Sequence, residues 1–246
     1  MPKIYLSPST QEANLYVDGG TEEEVMNRLA DVLEPYLNSN GIRYKRNTPQ
    51  MTAASSIRES NEGDYDLHLA LHSNAAPEQS AGQIKGTQVY YSPYSEKGKK
   101  MADILVEYFK QIYPDPNLVR AIPTTSLGEV GKTRAPGILI ETAYHDNPED
   151  AQWIKENLDK IAKTIAQALT EYFGMSFAGT SAPYPGIVNL RSGNLNLRDK
   201  ATTNSKIIGL LSNGDQIVIF GRHGDWYAVQ TPMGVGFVFA DYIQSY

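Results

Sequence analysis

The chain has 246 residues, a formal net charge of -6 and no cysteine. This length exceeds one typical domain, so two domains that each bury a core are expected. The acidic balance argues against a nucleic-acid partner, which would need a basic surface. Without cysteine, disulfides and thiolate metal sites are excluded. No apolar stretch has the length needed to span a bilayer, so membrane insertion is not expected either.

Helical and strand patterns alternate through the first 174 residues. The first strand covers 3–7, and Glu22 opens a helix that ends at Asn40 and Gly41. The later predicted elements are strands at 42–46, 65–75, 86–92 and 137–140 and helices at 49–61, 95–113 and 147–174. This alternation predicts an α/β fold, a twisted and mostly parallel sheet with helices on both faces.

The pattern changes after residue 174. Residues 175–185 are rich in Ser, Ala, Gly and Pro, a composition typical of a linker. Beyond it, short strands are predicted at 194–198, 206–211, 216–221, 226–230 and 234–239, with turn residues between them. We therefore predict an α/β domain over 1–174, a linker over 175–185 and a small all-β barrel over 186–246.

Polar residues follow two of the most apolar predicted strands. The strand at 65–75 ends in His72, Ser73, Asn74 and Ala75, and the strand at 137–140 leads directly to Glu141. The carboxyl ends of such strands meet at the ligand-binding edge of an α/β sheet. Imidazole and carboxylate are ligands that zinc prefers. With the helix-opening Glu22, these residues predict a hydrolytic zinc site.

His68 lies on the same strand face as His72. Four strand residues separate the two histidines by about 13 Å. We therefore interpret His68 as structural.

Residues 3–174 resemble the zinc-dependent N-acetylmuramoyl-L-alanine amidases of the amidase type 3 family, which cut peptidoglycan. The C-terminal segments Leu-Asn-Leu-Arg, Gly-Asp-Trp-Tyr and Gly-Phe-Val resemble bacterial SH3-like domains appended to cell-wall enzymes. In the first part the resemblance is carried by Glu22 with its spacing to Gly41, by 72–75, by 86–91, and by Ile140 and Glu141 with Asp146 and Asn147 behind them.

The resemblance implies roles for individual residues. Glu22 and His72 fall on zinc ligands, and Glu141 falls on the catalytic acid/base. Counting back from Gly41 selects Glu22 rather than its acidic neighbours at 23 and 24.

One family residue is absent. The family usually places its first zinc histidine just after strand one, where this chain has Thr10. A catalytic zinc normally needs three protein ligands and a water. His145 lies four residues beyond Glu141, on the same side of an extended chain, and we hypothesise that it is the replacement ligand. Gln11 and Asn14 offer amide oxygens instead, which are weaker zinc ligands than an imidazole.

The implied activity is hydrolysis of peptidoglycan at the amide bond between N-acetylmuramic acid and L-alanine. Zinc would activate the water, Glu141 would act as general acid/base, and the SH3-like domain would target the enzyme to the wall. Two alternatives remain open. One is an inactive cell-wall-binding protein with a degenerate site, which Thr10 favours, and the other is a zinc hydrolase acting on other peptides or on acetyl groups.

The beginning of the chain bears on its setting. Met1 to Ile4 leads into a strand rather than a signal peptide. We therefore expect either cytoplasmic synthesis with lysis-dependent release, as for a phage endolysin, or a sequence that lacks its leader. A bacterial autolysin used in sporulation or mother-cell lysis fits equally well, and the oligomeric state stays open.

Overall fold

The computed structural model describes residues 2–177, 184–198, 201–223 and 225–245. It divides into two compact units, one of residues 1–33 and 41–177 and one of residues 34–40 and 178–246. Part of the predicted linker, 178–183, lies outside the described residues. The domain boundaries at 174 and 186 stay a prediction.

Up to residue 177, strands and helices alternate as the sequence predicts. The elements are β1 (Lys3–Pro8), α1 (Glu22–Ser39), β2 (Arg43–Arg46), α2 (Ala53–Glu62), β3 (Leu67–Asn74), β4 (Gln88–Tyr91), α3 (Glu96–Phe109), β5 (Arg120–Pro123), α4 (Gly128–Gly131), β6 (Gly137–Tyr144), α5 (Pro148–Glu156) and α6 (Leu158–Tyr172).

These six strands form one sheet in the order β2-β1-β3-β6-β4-β5. The pairings are parallel except between β4 and β6, which run antiparallel. Consecutive residues of β3 are buried from Leu67 to Ser73, so both faces of this central strand are covered. The predicted α/β class with a mostly parallel sheet is confirmed, and the antiparallel pairing is a feature the sequence analysis did not predict.

The register of β3 against β6 positions the predicted site. Leu71 lies opposite Ile140, and His72 lies opposite Glu141. Since paired residues of neighbouring strands project from the same face, the imidazole and the carboxylate stand side by side at the carboxyl end of the sheet. Apolar burial along both strands fixes this register, because a shift by one residue would turn every side chain to the other face.

The sequence analysis missed two elements and joined two others. The region between 113 and 137 was expected to be a loop, but it contains the edge strand β5 and the one-turn helix α4. Both are only four residues long, so neither shows a hydrophobic period. The helix expected over 147–174 is two helices, α5 and α6, which meet at Asn157.

The second unit contains an antiparallel sheet with strand order β13-β7-β10-β11-β12-β8-β9. Its strands are β7 (Tyr184–Val188), β8 (Asn194–Arg198), β9 (Ile207–Ser212), β10 (Gln216–His223), β11 (Trp226–Thr231), β12 (Gly234–Phe239) and β13 (Ile243–Ser245). The sheet is curled, because residues from β7 through β12 share a single apolar core: Val188, Leu195, Leu197, Leu211, Ile217, Ile219, Val229 and Val238. The structure is consistent with the predicted SH3-like domain and adds β7 and β13 to the five strands expected.

Close backbone packing holds α4 against β6. A Cβ atom on Gly137 would lie 2.3 Å from the carbonyl oxygen of Glu129 and 2.8 Å from Cα of Val130. We expect Gly137→Ala to lower the free energy of unfolding by about 1–3 kcal/mol, because α4 must move off the sheet. Urea denaturation measures this change.

Gly131→Ala is the matched control. A Cβ there would have its nearest neighbour at 3.9 Å, the carbonyl oxygen of Thr125. We expect its stability to equal or slightly exceed that of the wild type. Equal stability of the two variants would contradict the packing account.

Candidate active site

His72 is the centre of the candidate site. It is buried at the end of β3 with both ring nitrogens facing carboxylates. Nδ1 lies 2.8 Å from Oε1 of Glu22, and Nε2 lies 3.1 Å from Oε2 of Glu129. Burial by itself lowers the pKa of His72, but hydrogen bonds to Glu129 and Glu22 outweigh burial and raise that pKa well above its usual value.

Glu22 comes from the first turn of α1 and is 1% exposed. Its backbone N–H donates to the carbonyl oxygen of Asn14 at 2.8 Å, and its Oε2 accepts a hydrogen bond from Asn14 Nδ2 at 2.6 Å. Asn14, in the loop before α1, therefore orients the Glu22 carboxylate and also contacts the backbone at the start of the helix. Burial opposes ionisation, but hydrogen bonds from His72 and Asn14 lower the pKa of Glu22. The carboxylate is therefore ionised beside the imidazole.

Glu129 is a site residue that the sequence analysis missed. It lies on α4 and is 5% exposed. Its Oε1 accepts from Ser7 Oγ at 2.6 Å and lies 3.2 Å from His68 Nε2, while Oε2 faces His72. Burial raises its pKa, but hydrogen bonds to His68 and His72 outweigh burial and lower it to about 2. The only sequence signal was an acidic residue between two glycines in a segment with no hydrophobic period.

An ionised carboxylate can only accept hydrogen bonds, so Glu129 requires a proton on Nε2 of His72. Carboxylates commonly hold the outer N–H of a metal-ligating histidine in this way. His68 has the structural role that the sequence predicts. It is fully buried, its ring stacks on Tyr5 with centroids 5.3 Å apart, and its Nδ1 lies 3.0 Å from Ser60 Oγ.

Glu141 stands beside His72 on β6, as predicted. Its Oε2 is buried and has no hydrogen-bond partner among the residues that the structure describes. Burial raises its pKa to about 7, and the charges of Glu22 and Glu129 add to this effect while His72 opposes it. A carboxyl group with a pKa near neutrality can both take and return a proton at physiological pH.

His145 is buried, and the contacts that the structure gives for its ring are with Ser73 and Tyr16. Its backbone N–H donates to the carbonyl oxygen of Asn74, and its Nδ1 lies 2.8 Å from the carbonyl oxygen of Ser73. Since a carbonyl oxygen only accepts, Nδ1 carries the proton. No group of three His, Cys, Asp or Glu residues in the described part of the chain could hold a metal ion. The predicted set of Glu22, His72 and His145 is therefore not assembled, and the ligand role of His145 stays a prediction that this geometry does not support.

Gln11 approaches His72 instead. Its Nε2 lies 3.5 Å from Nδ1 of His72, and its Oε1 accepts from Asn14 Nδ2 at 3.1 Å. Thr10, at the position of the family histidine, lines a cavity of about 390 Å³ together with Gln11, His72 and Glu129. The loop after β1 therefore reaches the site, although it carries no histidine.

Removing Glu129 would leave His68, His72 and Ser7 without their shared acceptor. We expect Glu129→Ala to lower the free energy of unfolding by about 3–5 kcal/mol, because it strips a buried charged network of one partner. Denaturation in urea measures the loss. Glu149→Ala is the control, because the Glu149 side chain is 78% exposed and paired only with a surface lysine. Its cost should stay below about 1 kcal/mol, and similar costs for both variants would contradict the assignment.

Comparison with known proteins extends these observations. The family model described as N-acetylmuramoyl-L-alanine amidase matches residues 10–171, and the bacterial SH3 domain model matches residues 193–244. The amidase LytC of Bacillus subtilis is 24% identical over 184 residues, which cover 69% of this chain and 35% of LytC. The chain thus spans about a third of that relative's length.

Solved amidase structures share the fold of the first part. The catalytic domain of CwlV from Bacillus (Paenibacillus) polymyxa is similar with a TM-score of 0.62 at 18% identity, over 72% of this chain and all of that one. AmiC2 of Nostoc punctiforme is similar with a TM-score of 0.61 at 16% identity, over 70% of this chain and 97% of AmiC2. The catalytic domain of the CD27L endolysin, which targets Clostridia difficile, is similar with a TM-score of 0.59 at 23% identity, over 70% of this chain and 98% of that domain.

No helix in the described ranges is long and apolar enough to cross a membrane.

The two resemblances inferred from the sequence are confirmed by the matched models. The amidase model covers well over half of the residues. The chain therefore belongs to the N-acetylmuramoyl-L-alanine amidase family and carries a bacterial SH3 domain in its C-terminal part.

Proposed function

We propose that this protein is a zinc-dependent peptidoglycan amidase. It hydrolyses the amide bond between the lactyl group of N-acetylmuramic acid and L-alanine of the stem peptide. The observation that carries the proposal is the convergence of His72, Glu22 and Glu141 at the ligand-binding edge of an amidase fold, with Oε2 of Glu141 unpartnered among the described residues.

The residues present fit a divalent metal. Glu129 holds one proton on Nε2 of His72, and the raised pKa of His72 means that a second proton lies on Nδ1, 2.8 Å from the ionised Oε1 of Glu22. Two acceptor atoms this close repel each other unless a cation or a proton lies between them. Imidazole nitrogen and carboxylate oxygen are zinc ligands, so Glu22 and His72 would hold the ion. Bound zinc would polarise the scissile carbonyl and lower the pKa of water.

Glu141 carries the proton transfers. Its Oε2 accepts a proton from the attacking water as the water oxygen bonds to the carbonyl carbon, and it returns that proton to the amide nitrogen as the carbon–nitrogen bond breaks. The products are a lactyl carboxylate and the free amine of L-alanine. Burial keeps the pKa of Glu141 at about 7, so both transfers run from one group near neutral pH.

The alternative of an inactive wall-binding protein rests on Thr10. It does not account for an acidic side chain with one buried oxygen unpartnered at the site, since such a group costs stability unless it has a task. The family match also favours the enzyme.

Replacing the proton carrier tests the catalytic role. We expect Glu141→Gln to release L-alanine amines from purified walls roughly 10²- to 10⁴-fold more slowly than the wild type, because the amide cannot accept the proton. Derivatisation of new N-termini measures the products. Glu149→Gln, at an exposed position, should keep the wild-type rate.

Zinc content, measured by elemental analysis, should be the same in Glu141→Gln and in the wild type. Release at the wild-type rate by Glu141→Gln would exclude the proposed role. Appearance of reducing sugar ends instead of amines would exclude the amidase reaction itself.

We propose further that the C-terminal unit holds the enzyme on peptidoglycan at the bacterial cell wall. The bacterial SH3 match supports this, as does an open cavity of about 500 Å³ in this unit, lined by Trp226, Phe239 and Tyr242 among others. Retention on a polymeric substrate raises the effective concentration of the catalytic unit at its target bonds.

Wall sedimentation tests this retention in the Glu141→Gln background, where the walls stay intact. We expect Tyr242→Ser to weaken binding, because Tyr242 is 46% exposed at the cavity. Leu210→Ser is the matched control, because Leu210 is 54% exposed and does not line the cavity. Equal binding by both variants would exclude this cavity as the wall-binding surface.

A further inference from the structure

We propose that Gln11 supplies the third protein ligand of the metal site, by its side-chain amide oxygen. The inference rests on the proposed function, since it concerns the same site. It assigns the role that the sequence analysis gave to His145.

The first observation is position. Gln11 reaches the same ring nitrogen of His72 that faces Glu22, with 3.5 Å between Gln11 Nε2 and His72 Nδ1. Its amide group therefore lies beside the imidazole, and Asn14 Nδ2 bridges it to the Glu22 carboxylate, with 3.1 Å to Gln11 Oε1 and 2.6 Å to Glu22 Oε2. Gln11 and His72 also line one cavity, which gives the site access to solvent.

The second observation is that the backbone of Gln11 is held in place. Its N–H donates to Ser9 Oγ at 3.2 Å. Ser9 is 1% exposed, and its own N–H donates to the carbonyl oxygen of Leu71, the neighbour of His72 on β3. Asn27 Nδ2 donates to the carbonyl oxygen of Ser9 at 3.2 Å. The loop after β1 is thus tied to the strand that carries the metal-facing histidine.

The third observation concerns the orientation of the amide. A half-turn about the Cγ–Cδ bond of Gln11 exchanges its nitrogen and oxygen, which brings Oε1 towards Nδ1 of His72. The exchange gives up one exposed hydrogen bond, from Asn14 Nδ2 to Gln11 Oε1 at 3.1 Å, which water can replace. Asn14 keeps its shorter bond to Glu22, at 2.6 Å.

The competing residues are placed less well. The ring of His145 is engaged by Ser73, whose carbonyl oxygen and Oγ lie 2.8 and 3.0 Å from Nδ1, and His145 forms no metal-holding group with other His, Asp or Glu residues of the described part of the chain. Thr10 lines the cavity but offers only a neutral hydroxyl group.

The donor set has a consequence for metal preference. The proposed donors are one imidazole nitrogen, one carboxylate oxygen and one amide oxygen. This set is harder than the two imidazoles and one carboxylate expected of the family. Carbonyl and carboxylate oxygens suit manganese, whereas imidazole suits zinc. Exchanging Gln11 for histidine should therefore strengthen zinc binding and widen the preference for zinc over manganese.

Isothermal titration of Zn²⁺ and Mn²⁺ into the full chain tests the proposal. Gln11→Ala should weaken Zn²⁺ binding by at least the roughly 10- to 100-fold that loss of an outer-shell partner costs. Gln11→His should bind Zn²⁺ more tightly than the wild type, with a larger ratio of Zn²⁺ to Mn²⁺ affinity. Thr10→Ala, the neighbouring control, should bind both ions like the wild type.

His145→Ala, with His145→Phe as a variant that fills the volume of the ring, should also keep wild-type metal affinity. Circular dichroism checks that each variant is folded. Unchanged Zn²⁺ binding by Gln11→Ala, or its loss in both folded His145 variants, would overturn the assignment while leaving the zinc amidase intact. Absence of Zn²⁺ and Mn²⁺ binding by the wild type would overturn this inference together with the metal part of the proposed function.

Discussion

The hydrogen bond between the ionised Glu129 and Nε2–H of His72 determines how the rest of the site can work. Because ionised carboxylates only accept, His72 carries a proton on both nitrogens without a metal, and a cation beside Glu22 would displace the Nδ1 proton while Glu129 keeps the Nε2 proton. The opposite nitrogen, Nδ1, faces Glu22 and Gln11, and these residues are the candidate ligands. Glu129 itself depends on the close contact of α4 with the start of β6 at Gly137. The packing of α4 against β6 thus fixes which nitrogen of His72 faces Glu129.

The site carries the negative charge that the proposed cation would neutralise. The carboxyl groups of Glu22, Glu129 and Glu141 lie around His72; Glu22 and Glu129 are buried, and Glu141 is half-buried. Without a metal, the proton between His72 and Glu22 balances part of this negative charge. Burial, together with the charges of Glu22 and Glu129, raises the pKa of Glu141 to about 7. A divalent ion in the position of that proton would balance more of it. The same cluster can therefore serve as a metal site and as a reservoir for the proton that catalysis moves.

The sequence predicted the parts of the fold that have strong patterns. Apolar runs on β3 and β6 gave the strands, their order along the chain and the positions of His72 and Glu141, and the acidic helix start gave Glu22. Short elements without a hydrophobic period were not predicted, and β5 and α4 are both of this kind. Glu129 was missed for that reason. Its role depends on contacts with Ser7 and His68, which are 122 and 61 residues away along the chain.

The assignment of His145 shows a different limit. His145 is buried just beyond the end of β6, and its spacing from Glu141 carried no information about the carbonyl group of Ser73 that engages its ring. Ligand strength alone places the amide oxygen of Gln11 below the imidazole of His145. Ligand strength depends on residue type, whereas the contacts of the folded chain decide which side chain lies beside His72.

The most direct measurement of the central claim is ¹⁵N NMR of the His72 ring in the full chain, with and without one equivalent of Zn²⁺. The account predicts that Nε2 carries a proton in both states and that the Nδ1 resonance moves to a metal-bound position when zinc is added. A zinc-dependent change at Nε2 with a protonated Nδ1 would contradict it, because Glu129 would then not set the orientation of the imidazole.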